Sequence, residues 1–169
     1  MTNELDLRKE YIRLRRELGV LLEKGRFNEG LSPDVIAQQN GFKSRDDIYR
    51  IEQGRERRLR RYFQLANYYG LNFHMAANYI DENYDKENFL IETDYSESNF
   101  FCWLGTILRR YHDLSSYSYK ELSKLTDIPE ERIIDIEKRK ANCTIREACS
   151  LLICYGKALI PEVCRKDIL

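Results

Sequence analysis

The sequence predicts an all-α fold, and three observations carry the prediction. Gly and Pro are scarce, at 8 and 3 residues, too few for a turn-rich β chain. Apolar residues recur at helical spacing, first at Leu7, Tyr11, Leu14, Leu18 and Leu21. The second half of the 169-residue chain also repeats the first. Leu31-Ser32 returns as Tyr117-Ser118 and Gly70 as Gly156, both at an offset of 86, while Ile51-Glu52 returns as Ile136-Glu137 at 85. One residue is therefore missing around the second copy's turn. A fixed offset of this length argues for two copies of one compact helical unit rather than a solenoid.

The elements follow in order. Asn3 to Lys24 reads as one amphipathic helix, with Arg8, Lys9, Arg13, Arg15, Arg16 and Glu17 on its other faces. It is expected to face the core; a short coiled-coil contact is the alternative, but it has too few heptads. Gly25 to Gly30 reads as a loop. Ser32 caps a second helix with Pro33 at its permitted first position, and that helix ends near Asn40-Gly41. Phe42 plugs the turn. Ser44 is a good N-cap for the next helix, Ser44 to Gln53, with Asp46 and Asp47 where the helix dipole favours carboxylates. Ile48 and Ile51 share a buried stripe, and Gly54 ends the helix. Leu59, Phe63 and Ala66 continue the core up to Gly70, and a last helix is expected from Phe73 to about Ile80. Residues 83–97 are acidic and read as a linker between a first unit, 1–82, and a second, 98–169.

Two short helices locked by a turn at Gly41-Phe42 make a helix-turn-helix, whose second helix can enter the DNA major groove. The stretch from roughly Tyr11 to Gly70 resembles the Cro and lambda-repressor-like (XRE-type) helix-turn-helix family. The likeness lies in the small Ala37, the apolar turn residue Phe42, and the Ile-Glu-x-Gly of Ile51, Glu52 and Gly54. Leu122, Ser123, Ile128, Ile133 and Ile136 occupy the matching positions of the second copy. The resemblance implies two tandem domains of about five helices each, and a prokaryotic or phage transcriptional regulator, a repressor by expectation. It also implies that Glu52 and Glu137 pair with an Arg of their unit's first helix. Arg15 or Arg16 are candidates for one, Arg109 or Arg110 for the other.

Outward positions assign function. Arg45, Tyr49 and Arg50 are the expected base contacts, since Arg reads guanine bidentately and Tyr can bond a base edge or phosphate. Lys43, Ser44, Arg55, Arg57 and Arg58 are the expected phosphate contacts. The alternative for the arginines, which also include Arg60 and Arg61, is a solvated face pairing with Glu52 and Glu56. Asp46 and Asp47 count against the reading face. The second copy offers Pro129, Glu130, Glu131, Arg132, Ile134 and Asp135 instead, so it is expected to have lost base reading. Glu130, Glu131 and Ile134 are then candidates for a protein contact, unless Ile134 is buried against the linker. Lys138, Arg139 and Lys140 follow the helix, where phosphate is the expected partner.

Net charge is zero and pI about 6.7, so a DNA binder of this composition must segregate its charge. Duplex DNA and a second copy of the chain, forming a homodimer on a palindromic site, are the expected partners. No membrane, cofactor or metal is expected, and nothing in the sequence identifies a small-molecule ligand. His74 and His112 lack ligand-spaced neighbours, and the five Cys form no CxxC pair, which points to a reduced, cytoplasmic setting. No apolar run approaches the roughly 18 residues of a membrane span. No nucleophile elbow, phosphate loop or catalytic carboxylate pair appears, so enzymatic activity is not expected. Two rivals stand beside the regulator: a protein-interaction module of antitoxin or adaptor type, and a regulator responsive to a ligand or to oxidation of the Cys-rich C-terminal unit.

Overall fold

The computed structural model describes residues 4–39, 41–79, 97–138 and 141–165. They form a mostly helical protein of eight helices and one two-stranded sheet. The order is α1 Glu4–Asn28, α2 Pro33–Gln39, α3 Arg45–Glu52, α4 Leu59–Tyr68 and β1 Leu71–Tyr79. The pattern then repeats as α5 Glu97–Leu114, α6 Tyr119–Thr126, α7 Glu130–Glu137, α8 Ile145–Cys154 and β2 Lys157–Arg165. Leu59 to Ile145 and Leu71 to Lys157 are both steps of 86, whereas Arg45 to Glu130 is 85. The residue lost before α7 is restored in the loop after it. Linker residues 83–96 lie outside the described residues, as do Ile80, Arg139 and Lys140.

The expected helix from Phe73 to Ile80 is instead strand β1, and its repeat in the second half is strand β2. His-Met-Ala-Ala carries no local bar to a helix. The partner decides: β1 and β2 pair antiparallel along all nine residues, from Leu71 opposite Arg165 to Tyr79 opposite Lys157. Leu71, Phe73 and Met75 are buried in alternation, the period of a half-buried strand. Tertiary pairing overrides propensity here.

Helix α1 also runs past its expected end at Lys24, through Gly25, to Asn28. Gly25 is a packing notch rather than a break, because a Cβ there would stand 2.2 Å from Leu71 Cδ1. Leu14, Leu18 and Leu22 are fully buried, with Leu7, Tyr11 and Leu21 packed beside them, so α1 faces the core. It packs on α3 and α4 of its own half and on α8 and β2 of the other.

The turns between α2 and α3 and between α6 and α7 share one device. Gly41 and Asp127, equivalent residues, both adopt the left-handed conformation, with φ of 70° and 59°. Phe42 and Ile128 follow them and are buried. The two halves then share one core. Phe63 of α4 meets Phe73 of β1 at 5.5 Å between ring centroids and Phe100 of α5 at 4.7 Å. Phe100 continues to Phe101 and Trp103. Arg13 of α1, held by Glu10 and Glu17, donates to the Leu159 carbonyl of β2 at 2.6 Å.

The glycine of the first half with least room for a side chain is Gly19, where a Cβ would lie 2.1 Å from the Glu52 carbonyl oxygen. Gly19→Ala must push α1 from α3 and is expected to cost about 2 kcal/mol or more, in the range of over-packed cores. Thermal melts against Val20→Ala, at an exposed neighbour, check this. Equal melting temperatures would show that the helices tolerate the separation.

Candidate nucleic-acid interface

Helix α3 is fixed on one side and open on the other. Ile48, Ile51 and Glu52 face inward. At its end Gly54, with φ of 67°, donates its N–H to the Ile51 carbonyl. A Cβ on Gly54 would meet the Arg15 carbonyl at 2.7 Å, and Arg15 Nε donates to the Gly54 carbonyl. Arg15 therefore holds the exit of α3 and does not pair with Glu52.

Glu52, only 5% exposed, is met by Arg26. Arg26 Nε and Nη2 donate to its two carboxylate oxygens at 2.7 and 3.0 Å, and Tyr69 Oη donates at 2.7 Å. The expected Arg of the first helix is thus Arg26, two residues beyond the helix end assigned from sequence. In the second half the partner of Glu137 is His112, not Arg109 or Arg110. His112 Nδ1 lies 2.9 Å from Glu137 Oε2, and Nε2 donates to the Tyr117 carbonyl at 3.0 Å. Arg26 and His112 are equivalent, as are Tyr69 and Tyr155. Burial first, then the neighbouring carboxylate, pushes both tyrosine hydroxyls up, so each stays protonated.

All eight expected contact residues are exposed: Lys43, Ser44, Arg45, Tyr49, Arg50, Arg55, Arg57 and Arg58. They lie on α3, on the residues leading into it and on the loop leaving it. Tyr49 is 39% exposed. Ser44 occupies the N-cap position in extended conformation, but its side chain makes no cap hydrogen bond. Asp47 is half-buried and engaged: it accepts from the Lys43 N–H at 3.0 Å and lies 3.9 Å from Arg61. Arg61 in turn stacks over the Phe42 ring at 4.4 Å. Of the two carboxylates counted against this face, only Asp46 remains at the surface with the basic residues.

The arginine cluster divides. Arg61 belongs to the fold. Glu56 accepts from the N–H groups of Arg57 and Arg58 at 2.9 and 3.0 Å and from Arg58 Nε at 3.2 Å, which shapes the loop and offsets part of the Arg58 charge. Arg55 and Arg57 are left exposed beside α3.

The second half carries the opposite sign where Arg45 and Arg50 stand in the first. Glu130 replaces Arg45, Glu131 replaces Asp46, Ile134 replaces Tyr49 and Asp135 replaces Arg50. Glu130 and Glu131 are exposed, but Ile134 is half-buried, so the expected exposed apolar residue is absent there. Arg132 turns away to Glu147 and the Asn142 carbonyl. Burial works to raise the Glu147 carboxyl, but hydrogen bonds from Arg132 and the Thr144 N–H outweigh it and hold it below the usual range. Cys143 and Cys149 are buried, which pushes both thiols up, Cys149 to about 12. Thiols so disfavoured as thiolates are core fillers rather than redox sensors.

Removing the charge of Glu52 leaves Arg26 buried beside an amide. Glu52→Gln is therefore expected to destabilise the protein by about 3 kcal/mol, the scale for breaking a buried pair, seen as a lower melting temperature. An unchanged melting temperature would refute the clamp. Glu147 predicts an acid response: its depressed folded value contributes stability above the usual carboxyl value of 4.5, lost as pH falls through the folded value. Melting temperature should drop below about pH 4.5, and the drop should be smaller in Glu147→Gln. Parallel pH profiles would exclude that contribution.

No protein-family model, curated protein or solved structure matches this chain.

Proposed function

We propose that this protein is a sequence-specific duplex DNA-binding regulator that reads the major groove with α3, as a Cro-like helix-turn-helix. The observation that carries the reading is the division of α3. One side is locked by Glu52, Arg26 and Gly54, and the other exposes Arg45, Tyr49 and Arg50 with Lys43 and Ser44 at its start. A helix held this rigidly can present side chains to base edges with little ordering cost. Arg45 and Arg50 suit guanine and Tyr49 a base edge or phosphate. The free Ser44 hydroxyl, Lys43, Arg55, Arg57 and Arg58 suit the backbone. Repression is the simplest regulatory outcome, because an occupied duplex excludes other proteins, and a cytoplasmic location follows from the role. Among the described residues no helix is long and apolar enough to cross a membrane.

A second reading has its own support. The exposed Asp46 and the acidic outer face of α7 favour a protein-interaction module. Retention on duplex DNA across a salt series separates the two. Three or four phosphate contacts give a fall of about 0.9 log units in affinity per log unit of salt for each contact. Arg55→Ala with Arg57→Ala is expected to flatten that slope by about two contacts' worth. Arg45→Ala with Arg50→Ala is expected to remove base preference, worth about 1–3 kcal/mol per bidentate contact, while leaving the slope closer to wild type. Salt-independent retention, or an Arg45/Arg50 double variant indistinguishable from wild type, would favour the interaction module.

A further inference from the structure

Met75 stands opposite Pro161 at the centre of the β1–β2 register. These are equivalent residues of the two halves, 86 apart. In an antiparallel pair, a residue facing its own equivalent marks a local two-fold axis. A second such point exists. Arg58 pairs with Thr144 in an isolated bridge, again 86 apart, and the Ile145 N–H donates to the Arg57 carbonyl beside it. One helix contact across the halves has its counterpart: α1 packs on α8, and its equivalent α5 packs on α4, the equivalent of α8, while the packing of α1 on β2 has no comparable contact of α5 on β1 among the described residues. The halves therefore meet as the two subunits of an isologous dimer meet. The arrangement that the sequence suggested for a second chain is made inside one.

The loops leaving α3 and α7 converge on this axis at Arg58 and Thr144, so the two helices end on either side of it. B-form DNA presents major grooves one turn apart, about 34 Å, on one face, with a minor groove between them. A two-fold object with α3 in one major groove sets its axis over that minor groove, where negative potential attracts arginine. The exposed Arg57 and Arg58 lie at the axis. On the far side α7 brings Glu130, Glu131 and Asp135 where α3 brings Arg45, Asp46 and Arg50.

We propose that one chain binds one duplex as an intramolecular pseudo-dimer on a non-palindromic site, read on one side of its centre by α3, with Arg57 and Arg58 over the central minor groove. This rests on the duplex-binding reading above. The experiment is selection from a random duplex pool, followed by sedimentation of the full chain on the selected duplex. The expected result is one chain per duplex, with specified bases on one side of a centre that favours A·T pairs. Two chains on a palindrome would overturn the pseudo-dimer while leaving DNA binding intact. Absence of salt-dependent duplex retention would overturn the binding reading itself.

A symmetrised variant sharpens the test. Glu130→Arg with Ile134→Tyr and Asp135→Arg rebuilds the α3 surface on α7. Its selected site should become a palindrome, bound about tenfold or more tightly than the one-sided site, from added base contacts. A folded variant, by circular dichroism, that keeps the one-sided preference would overturn the shared duplex. Should the variant not fold, the wild-type stoichiometry and site decide.

Discussion

The buried carboxylate at the end of α3 is the constraint on which the rest depends. Glu52 lies where an isolated charge would cost several kcal/mol. Only a nearly complete set of donors makes it tolerable, and Arg26 and Tyr69 provide it from α1 and from the residue that follows α4. Three segments are thereby fixed against one another at a single point. The fixing sets the direction of α3, and so the direction of every side chain on its outer face. Gly19 and Gly54 complete the constraint by letting the backbones of α1 and α3 approach without intervening side chains.

The same point in the second half is built differently. His112 stands for Arg26, and its two ring nitrogens are both engaged, by Glu137 and by the Tyr117 carbonyl. A bidentate guanidinium is replaced by an imidazole that packs T-shaped against Tyr119, at 4.4 Å between ring centroids. The second half compensates in its caps. Ser118 with Glu121 and Thr144 with Glu147 form reciprocal capping boxes at the starts of α6 and α8, whereas Ser44 leaves its cap bond unmade. Capping substitutions of this kind are worth roughly 1 kcal/mol each. At α7, the counterpart of α3, the N-cap Pro129 likewise makes no side-chain cap bond, so the two halves differ in caps at α6 and α8 and not at the paired helices α3 and α7.

Much of this was legible in the sequence, because the repeat, the turn and the buried stripe are local patterns. Gly41-Phe42, Ile48 and Ile51 need no partner to be recognised. The errors share one cause, which is contact at a distance. Gly25 looks like a helix break until Leu71 is brought against it, and misplacing that end hid Arg26 as the partner of Glu52. Residues 73–80 look helical until their equivalents from the other half lie beside them. Ile134 looks exposed on a helical wheel but is half-buried in the fold. Asp47 looks like a repulsive charge until Lys43 and Arg61 engage it. The outward basic positions were legible because exposure on a regular helix follows from the position of its buried stripe alone.

A chain of zero net charge can still present a cationic surface, because range matters more than total. At physiological salt the Debye length is about 8 Å, so a charge farther than that from α3 is largely screened, while charges on the same helix are not. Neutrality across the chain then places no bar on phosphate attraction at Arg45, Arg50, Arg55 and Arg57. What would bar it is a carboxylate inside that radius. Glu56 and Asp47 are engaged in backbone hydrogen bonds, and Asp46 stays outward on α3, where under the proposed reading it would accept from a cytosine amino group. The two-fold relation then turns neutrality into polarity. Arg45 against Glu130 and Arg50 against Asp135 carry opposite signs, so the outer faces of α3 and α7 differ in charge on either side of the Met75–Pro161 axis. Under the proposed reading, a uniformly negative duplex would distinguish those two faces before any base is read.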